Sequence, residues 1–207
     1  MLKGKLAGIL LLIAVGSATL LMSCSNPAAA GTSNTTAPVV STNSKGNQDE
    51  NFSISVDKTQ VNPGDKFTVN IMITSKMAAR GGQCGVSFDP VALQCDSVIE
   101  GNFFKDWASA NGVSTTMMPS EPAIDNNKGT VEAVAIAVMG LSQAEQNGQK
   151  GQEAKGSGVF MSLQMTAKTG VNKRASIKLS DIQIGDANGD GIKNVTSTDG
   201  FITIGTP

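Results

Sequence analysis

The residues best suited to chemistry lie near the C-terminus, where Asp186-Ala187-Asn188-Gly189-Asp190-Gly191 sets oxygen-bearing side chains at alternate positions ahead of a glycine. Oxygens at the first, third and fifth positions of a loop, with Gly at the sixth for the sharp turn, suit a hard cation such as calcium. A complete loop of that kind also needs a carboxylate at its twelfth position. That position is Ser197, and Asp199 comes two residues late. The following segment, Phe201 to Ile204, alternates as a strand does. The reading is therefore a hairpin loop in which Asn and Gly make the turn, with weak calcium binding by Asp186, Asn188 and Asp190 as a candidate property.

Catalytic chemistry is poorly provided for. The sequence contains no His, which removes every mechanism that uses imidazole as base, acid or metal ligand. The acidic residues are scattered, without the pairing a glycosidase needs, so no catalytic residue is assigned and an enzyme is not expected. Cys84 and Cys95 flank the Asp89-Pro90 corner. They read either as a disulfide, contributing about 2–3 kcal/mol, or as two buried thiols acting as small apolar groups. Trp107 is the single Trp and Tyr is absent. One indole is a poor platform for stacking sugar rings, so Trp107 is assigned to core or rim packing. Sixteen basic and seventeen acidic residues give a net charge of -1, which offers nothing to a nucleic acid.

The elements that must position these residues follow from periodicity. Phe52, Ile54 and Val56 alternate with polar residues, and Asn62-Pro63-Gly64-Asp65 is a turn signal. Phe67 to Ile73, Cys84 to Phe88 and Val159 to Met165 alternate in the same way. Val131 to Val138 is apolar at nearly every position, as for a strand covered on both sides. Further short runs bring the expected total to eight or nine strands. Leu141 to Lys155 reads as a loop with at most one helical turn, and no segment reads as a convincing amphipathic helix. The fold class is all-β, a nine-stranded jelly-roll β-sandwich over residues 51–207.

Two segments precede that domain. Residues 1–24 read as an export signal: Lys3 and Lys5, an apolar stretch from Leu6 to Leu21, then Leu21-Met22-Ser23-Cys24. That ending resembles a bacterial lipobox, which implies a diacylglycerol thioether on Cys24 and a stable membrane anchor. Residues 25–50 are rich in Ser, Thr, Asn, Ala and Gly. They cannot bury enough surface to offset their ordering entropy, and read as a flexible tether with an end-to-end distance of roughly 25–30 Å. The expected location is outside the cell, lipid-anchored to the membrane.

Four ordered blocks resemble cohesin modules of cellulosome-type systems. They are Val61 to Val69 with its Gly64-Asp65 turn; Gly85 to Leu93 with Phe88-Asp89-Pro90, followed by Val98-Ile99-Glu100-Gly101-Asn102-Phe103-Phe104; Gly158 to Met165; and Ile177 to Ile204. The resemblance implies a jelly-roll whose flat sheet face binds dockerins, small calcium-loop domains usually fused to polysaccharide-degrading enzymes. It also links the chain to carbohydrate binding and polysaccharide catabolism. The candidate partner-binding residues are Gln83, Gly85 and Ser87, which alternate with inward Cys84, Val86 and Phe88, together with Glu132, a partner contact or the one solvent-facing position of its strand. Gly81 and Gln83 stand where dockerin-binding cohesins carry Asn and Asp. Gln83 still donates and accepts, but no carboxylate is present. The partner is thus a dockerin of unusual specificity, another protein, or a polysaccharide bound directly. A structural surface lipoprotein with an Ig-like sandwich is the remaining alternative.

Overall fold

The computed structural model describes residues 49–149 and 151–205. The strands are β1 (Glu50–Val56), β2 (Gln60–Val61), β3 (Lys66–Phe88), β4 (Leu93–Glu100), β5 (Ser114–Met118), β6 (Ile124–Asp125), β7 (Thr130–Met139), β8 (Ala154–Ala167), β9 (Lys173–Asp186), β10 (Thr196–Thr198) and β11 (Gly200–Ile204). Two helices interrupt them, α1 (Asn102–Ala110) and α2 (Gln143–Gln146). The signal segment 1–24, with Cys24, and tether residues 25–48 lie outside the described residues. The tether's last residue, Glu50, already belongs to β1 and is buried.

β3 organises the fold. Over 23 residues it changes partners. From Lys66 to Ser75 it lies between β1 and β8, and from Gly81 to Phe88 between β7 and β9. Hydrogen bonding is therefore continuous through eleven strands, but the strands form two stacked layers, β10-β1-β3-β8-β4 and β5-β7-β3-β9-β11-β2. The ring centroids of Phe52 on β1 and Phe160 on β8 lie 5.1 Å apart, edge to face. Directly above them is Gly82, on the second half of β3, where a Cβ would lie 3.2 Å from Phe160 and 3.3 Å from Phe52. The two layers thus meet at a point where even a methyl group would press on both rings. This is the expected jelly-roll β-sandwich, built of eight longer strands with β2, β6 and β10 as two- or three-residue additions.

The crossover of β3 is pinned by Glu50. Its carboxylate accepts the Ser75 hydroxyl, the Lys76 amide at 3.0 Å and the Met77 amide at 2.9 Å. Nearby, Arg80 pairs with Glu145 and donates to the Gly140 carbonyl. Glu145 also closes a capping box with Ser142 at the start of α2. The single helical turn expected between Leu141 and Lys155 is α2.

α1 corrects the expectation that no segment forms a convincing amphipathic helix. Phe103, Phe104 and Ala108 are buried, and Trp107 packs against the same core. Positions 103, 104, 107 and 108 recur at helical spacing, a pattern confined to one short segment. Asn102 fixes the helix start, its Oδ1 accepting the Val159 amide at 3.0 Å. No helix of the described residues is long and apolar enough to cross a membrane.

Candidate protein-binding face

The outer surface of the second layer is assembled from side chains that the pleat of β5, β7, β3 and β9 turns away from the core. Val134, Ile136 and Val138 of β7 point inward and are buried, leaving Ala133, Ala135 and Ala137 outward with partial exposure. The expectation that this strand is covered on both faces is therefore incorrect: its near-continuous apolar run is an inner β-branched row and an outer alanine row. Register extends that outer row across the sheet. Ala137 pairs with Gly81, which pairs with Gly185; Ala135 pairs with Gln83, which pairs with Gln183. On the β5 side Thr116 continues the first row and Met118 the second. The result is a flat plateau of Gly and Ala, with exposed Met118 and Met139 at one margin and amides at its centre.

The four residues selected from the sequence have different fates. Gln83 lies at the centre of the plateau, half-buried, and its Nε2 donates to the Asp181 carbonyl at 3.3 Å. Glu132 is exposed because β7 carries an extra residue there: Cys84 pairs with Val134 and Val86 with Val131. Both valines face the core, so the bulge turns Glu132 and Ala133 outward together. Ser87 lies at the far end of β3. It lines an open cleft of about 370 Å³ with Asp89, Pro90, Ser176 and Lys178. Gly85 is the correction. It is buried rather than presented to a partner, because a second bulge on β9 places Ser180 and Asp181 over it. A Cβ at Gly85 would lie 2.6 Å from the Ser180 Oγ and 3.2 Å from Asp181. Asp181 adopts φ 51°, the left-handed conformation that Asp tolerates better than most residues. It sits exposed beside Gln83 and supplies a carboxylate near the position where the strand sequence lacks one. Sequence reasoning missed Asp181, since only the bulge brings it there.

The remaining candidates are separated from this face. Cys84 and Cys95 are buried free thiols, so the candidate disulfide is not formed. They stand on β3 and β4, in different layers. The Cys84 thiol donates to the Gly85 carbonyl and the Cys95 thiol to that of Ser97. Burial, reinforced by Asp181, raises the Cys84 thiol to about 12, and burial with Asp96 raises Cys95 to about 11. Neither is a nucleophile at neutral pH. Trp107 donates its indole N–H to the Gln152 carbonyl at 2.9 Å. In the calcium-like loop, Asp186 Oδ1 accepts the amides of Asn188 at 2.8 Å and Asp190 at 2.9 Å. Its Oδ2 accepts the Asn188 side-chain amide at 3.3 Å. Among the described residues no group of three or more His, Cys, Asp or Glu side chains is arranged to hold a metal.

The described residues thus form a jelly-roll with a sheet face of small residues. Residues 52–204 match the cohesin domain, and the chain belongs to the cohesin family. No curated protein matches it. Among solved structures it is similar to a type II cohesin domain from the cellulosome of Acetivibrio cellulolyticus, at 18% identity and a TM-score of 0.57, covering 74% of this chain and 94% of that one. It is also similar to the third ScaC cohesin of Acetivibrio cellulolyticus, solved in complex with the ScaB dockerin, at 18% identity and a TM-score of 0.55 over 75% of this chain and 98% of that one. A non-cellulosomal cohesin from the archaeon Archaeoglobus fulgidus matches at 15% identity and a TM-score of 0.53 over 75% and 92% of the two chains. At these identities the likeness is one of fold.

Proposed function

We propose that this protein is a non-catalytic cohesin that captures a dockerin-bearing protein on the plateau of β5, β7, β3 and β9. The observation that carries the reading is the Gly81–Ala137 and Gln83–Ala135 register, a flat strip without bulky side chains. A rigid partner helix can lie along such a strip, apolar contact supplying affinity and the amides of Gln83 and Gln183 fixing orientation. Glu132 and Asp181 border the strip with negative charge, which favours a dockerin with basic residues at those positions. Ser87 extends the surface toward the Lys178 cleft. In this proposal residues 1–24 direct export, Cys24 carries the lipid and the tether that ends before Glu50 holds the module away from the membrane. The captured proteins then act on polysaccharide at the cell surface.

Direct glycan binding has weaker support. Trp107 is committed to the core and to Gln152, and Phe201 is capped by the Arg174 guanidinium, 3.1 Å from the ring centroid. The test is capture from the organism's own secreted proteins on the immobilised protein, beside adsorption to insoluble polysaccharide. Recovery of calcium-loop proteins supports the reading. Adsorption to polysaccharide with no protein captured refutes it.

A further inference from the structure

The geometry points to a calcium site in the cavity between Glu153 and the 186–188 segment, at the end of the sandwich where β3 crosses between layers. The site is independent of the plateau and of the function proposed for it. Two buried carboxylates flank this crossover. Glu50 is 6% exposed and accepts three donors, two backbone amides and a hydroxyl. Glu153 is 2% exposed, and neither carboxylate oxygen has a hydrogen-bond partner among the described residues. A buried carboxylate without donors or a counter-charge is one of the costliest arrangements in a protein. The same crossover thus satisfies one carboxylate and leaves the other without a hydrogen-bond partner among the described residues.

Glu153, its carboxylate oxygens buried in the wall, borders a cavity of about 310 Å³ lined also by Met77, Ala78, Gly151, Asp186 and Asn188. Register explains the convergence: Ala79 of β3 pairs with Ala154 on one side and Asp186 on the other. The residue before Ala154 and the first residue of the loop are therefore held against the same bend. The loop is already shaped, because Asp186 binds the amides of Asn188 and Asp190, and Asn188 turns its amide nitrogen toward Asp186. That leaves the Asn188 amide oxygen available to a cation. Two carboxylates, an amide oxygen, backbone carbonyls of the lining and water supply the oxygen-only, irregular shell that calcium accepts and magnesium tolerates poorly. The triad suggested by the loop sequence is thereby altered. Asp186 and Asn188 stay, Glu153 joins them from β8's approach, and Asp190, which is not in the lining, contributes its backbone to loop shape.

The test is equilibrium dialysis of the protein, without any partner, against radiolabelled calcium, with thermal unfolding in excess CaCl₂ and in EDTA. The expected results are one calcium bound per chain and a Tm higher in calcium by on the order of 5 °C. Glu153→Gln keeps the shape and removes the charge, so it should abolish the calcium-dependent shift without lowering the Tm in EDTA. Asn188→Ala, at an exposed position, should weaken binding by about tenfold, the loss of roughly one ligand. It provides the second variant should Glu153→Gln fail to fold. Absence of bound calcium on the wild-type protein overturns the inference, as does a Glu153→Gln protein with an undiminished shift.

Discussion

Replacing Ala135 by Arg tests the binding face most directly. Ala135 is the β7 member of the central row, with Gln83 on one side and Met118 on the other. Its side chain points away from the core, between inward Val134 and Ile136, so the guanidinium extends into solvent in the free protein. The stability change should stay within about 0.5 kcal/mol, as for surface positions generally. In a complex, the same arginine is pressed against a helix that approached a flat Ala/Gly strip. Burying it unpaired, or displacing the helix to avoid doing so, costs on the order of 3 kcal/mol. That corresponds to a loss of more than about 100-fold in Kd. The control is Ser53→Arg on β1, an outward position of the other layer paired with Met72, which should leave affinity unchanged. Calorimetric titration of each variant with the captured dockerin protein, after matching circular dichroism and Tm, gives the answer. Equal affinity for wild type and Ala135→Arg, or loss with Ser53→Arg alone, would refute the assignment of this layer.

Phe160→Ala should destabilise the domain by about 3–5 kcal/mol in urea unfolding, since its ring is 1% exposed and meets both Phe52 and Phe104. A loss below about 1 kcal/mol would show that the layers are not joined there. Cys84 and Cys95, with thiols raised to about 12 and 11, should resist a thiol reagent at neutral pH in the folded protein and both react in denaturant. Reaction in the folded state contradicts their burial. The hydrogen bond from Lys173 holds the Asp89 carboxyl below its ordinary 3.8. A depressed carboxylate stabilises the fold above its unfolded value and ceases to as pH falls through the folded one. Stability should therefore decline below about pH 4, and Asp89→Asn should decline less over that interval; identical acid limbs in unfolding curves would exclude the contribution.

Much of the sandwich was legible because alternation is local. Phe52-Ser53-Ile54-Ser55 and Phe67 to Ile73 state which side of each strand faces inward, and the structure buries those residues. Other features depended on distant partners. The α1 pattern at Phe103, Phe104, Trp107 and Ala108 occupies so short a segment that one turn's periodicity cannot be separated from a chance aromatic pair. Val131 to Val138 reads as doubly covered because alanine is apolar whether it faces a core or a plateau. Gly85 falls on the outward phase of its strand, yet the β9 bulge covers it, and the bulge leaves no mark beyond Asp181 itself. Glu153 gave no signal at all. It sits in a polar, Gly-rich stretch, and its solitude depends on which groups across the crossover supply no donor.

The crossover strand also determines how the module bears load. Glu50 to Val56 is hydrogen-bonded to β3 through seven residue pairs and to β10 over Asn51 to Ser53. A pull entering at residue 50 along the strand axis shears these bonds together and does not peel them one by one. β3 carries that force from the layer containing the chain's point of entry to the layer that carries Gln83 and Gly81 without leaving the backbone. A body held at one end and loaded on the opposite face thus transmits tension through a single covalent spine, and its two sheets resist separation as one unit.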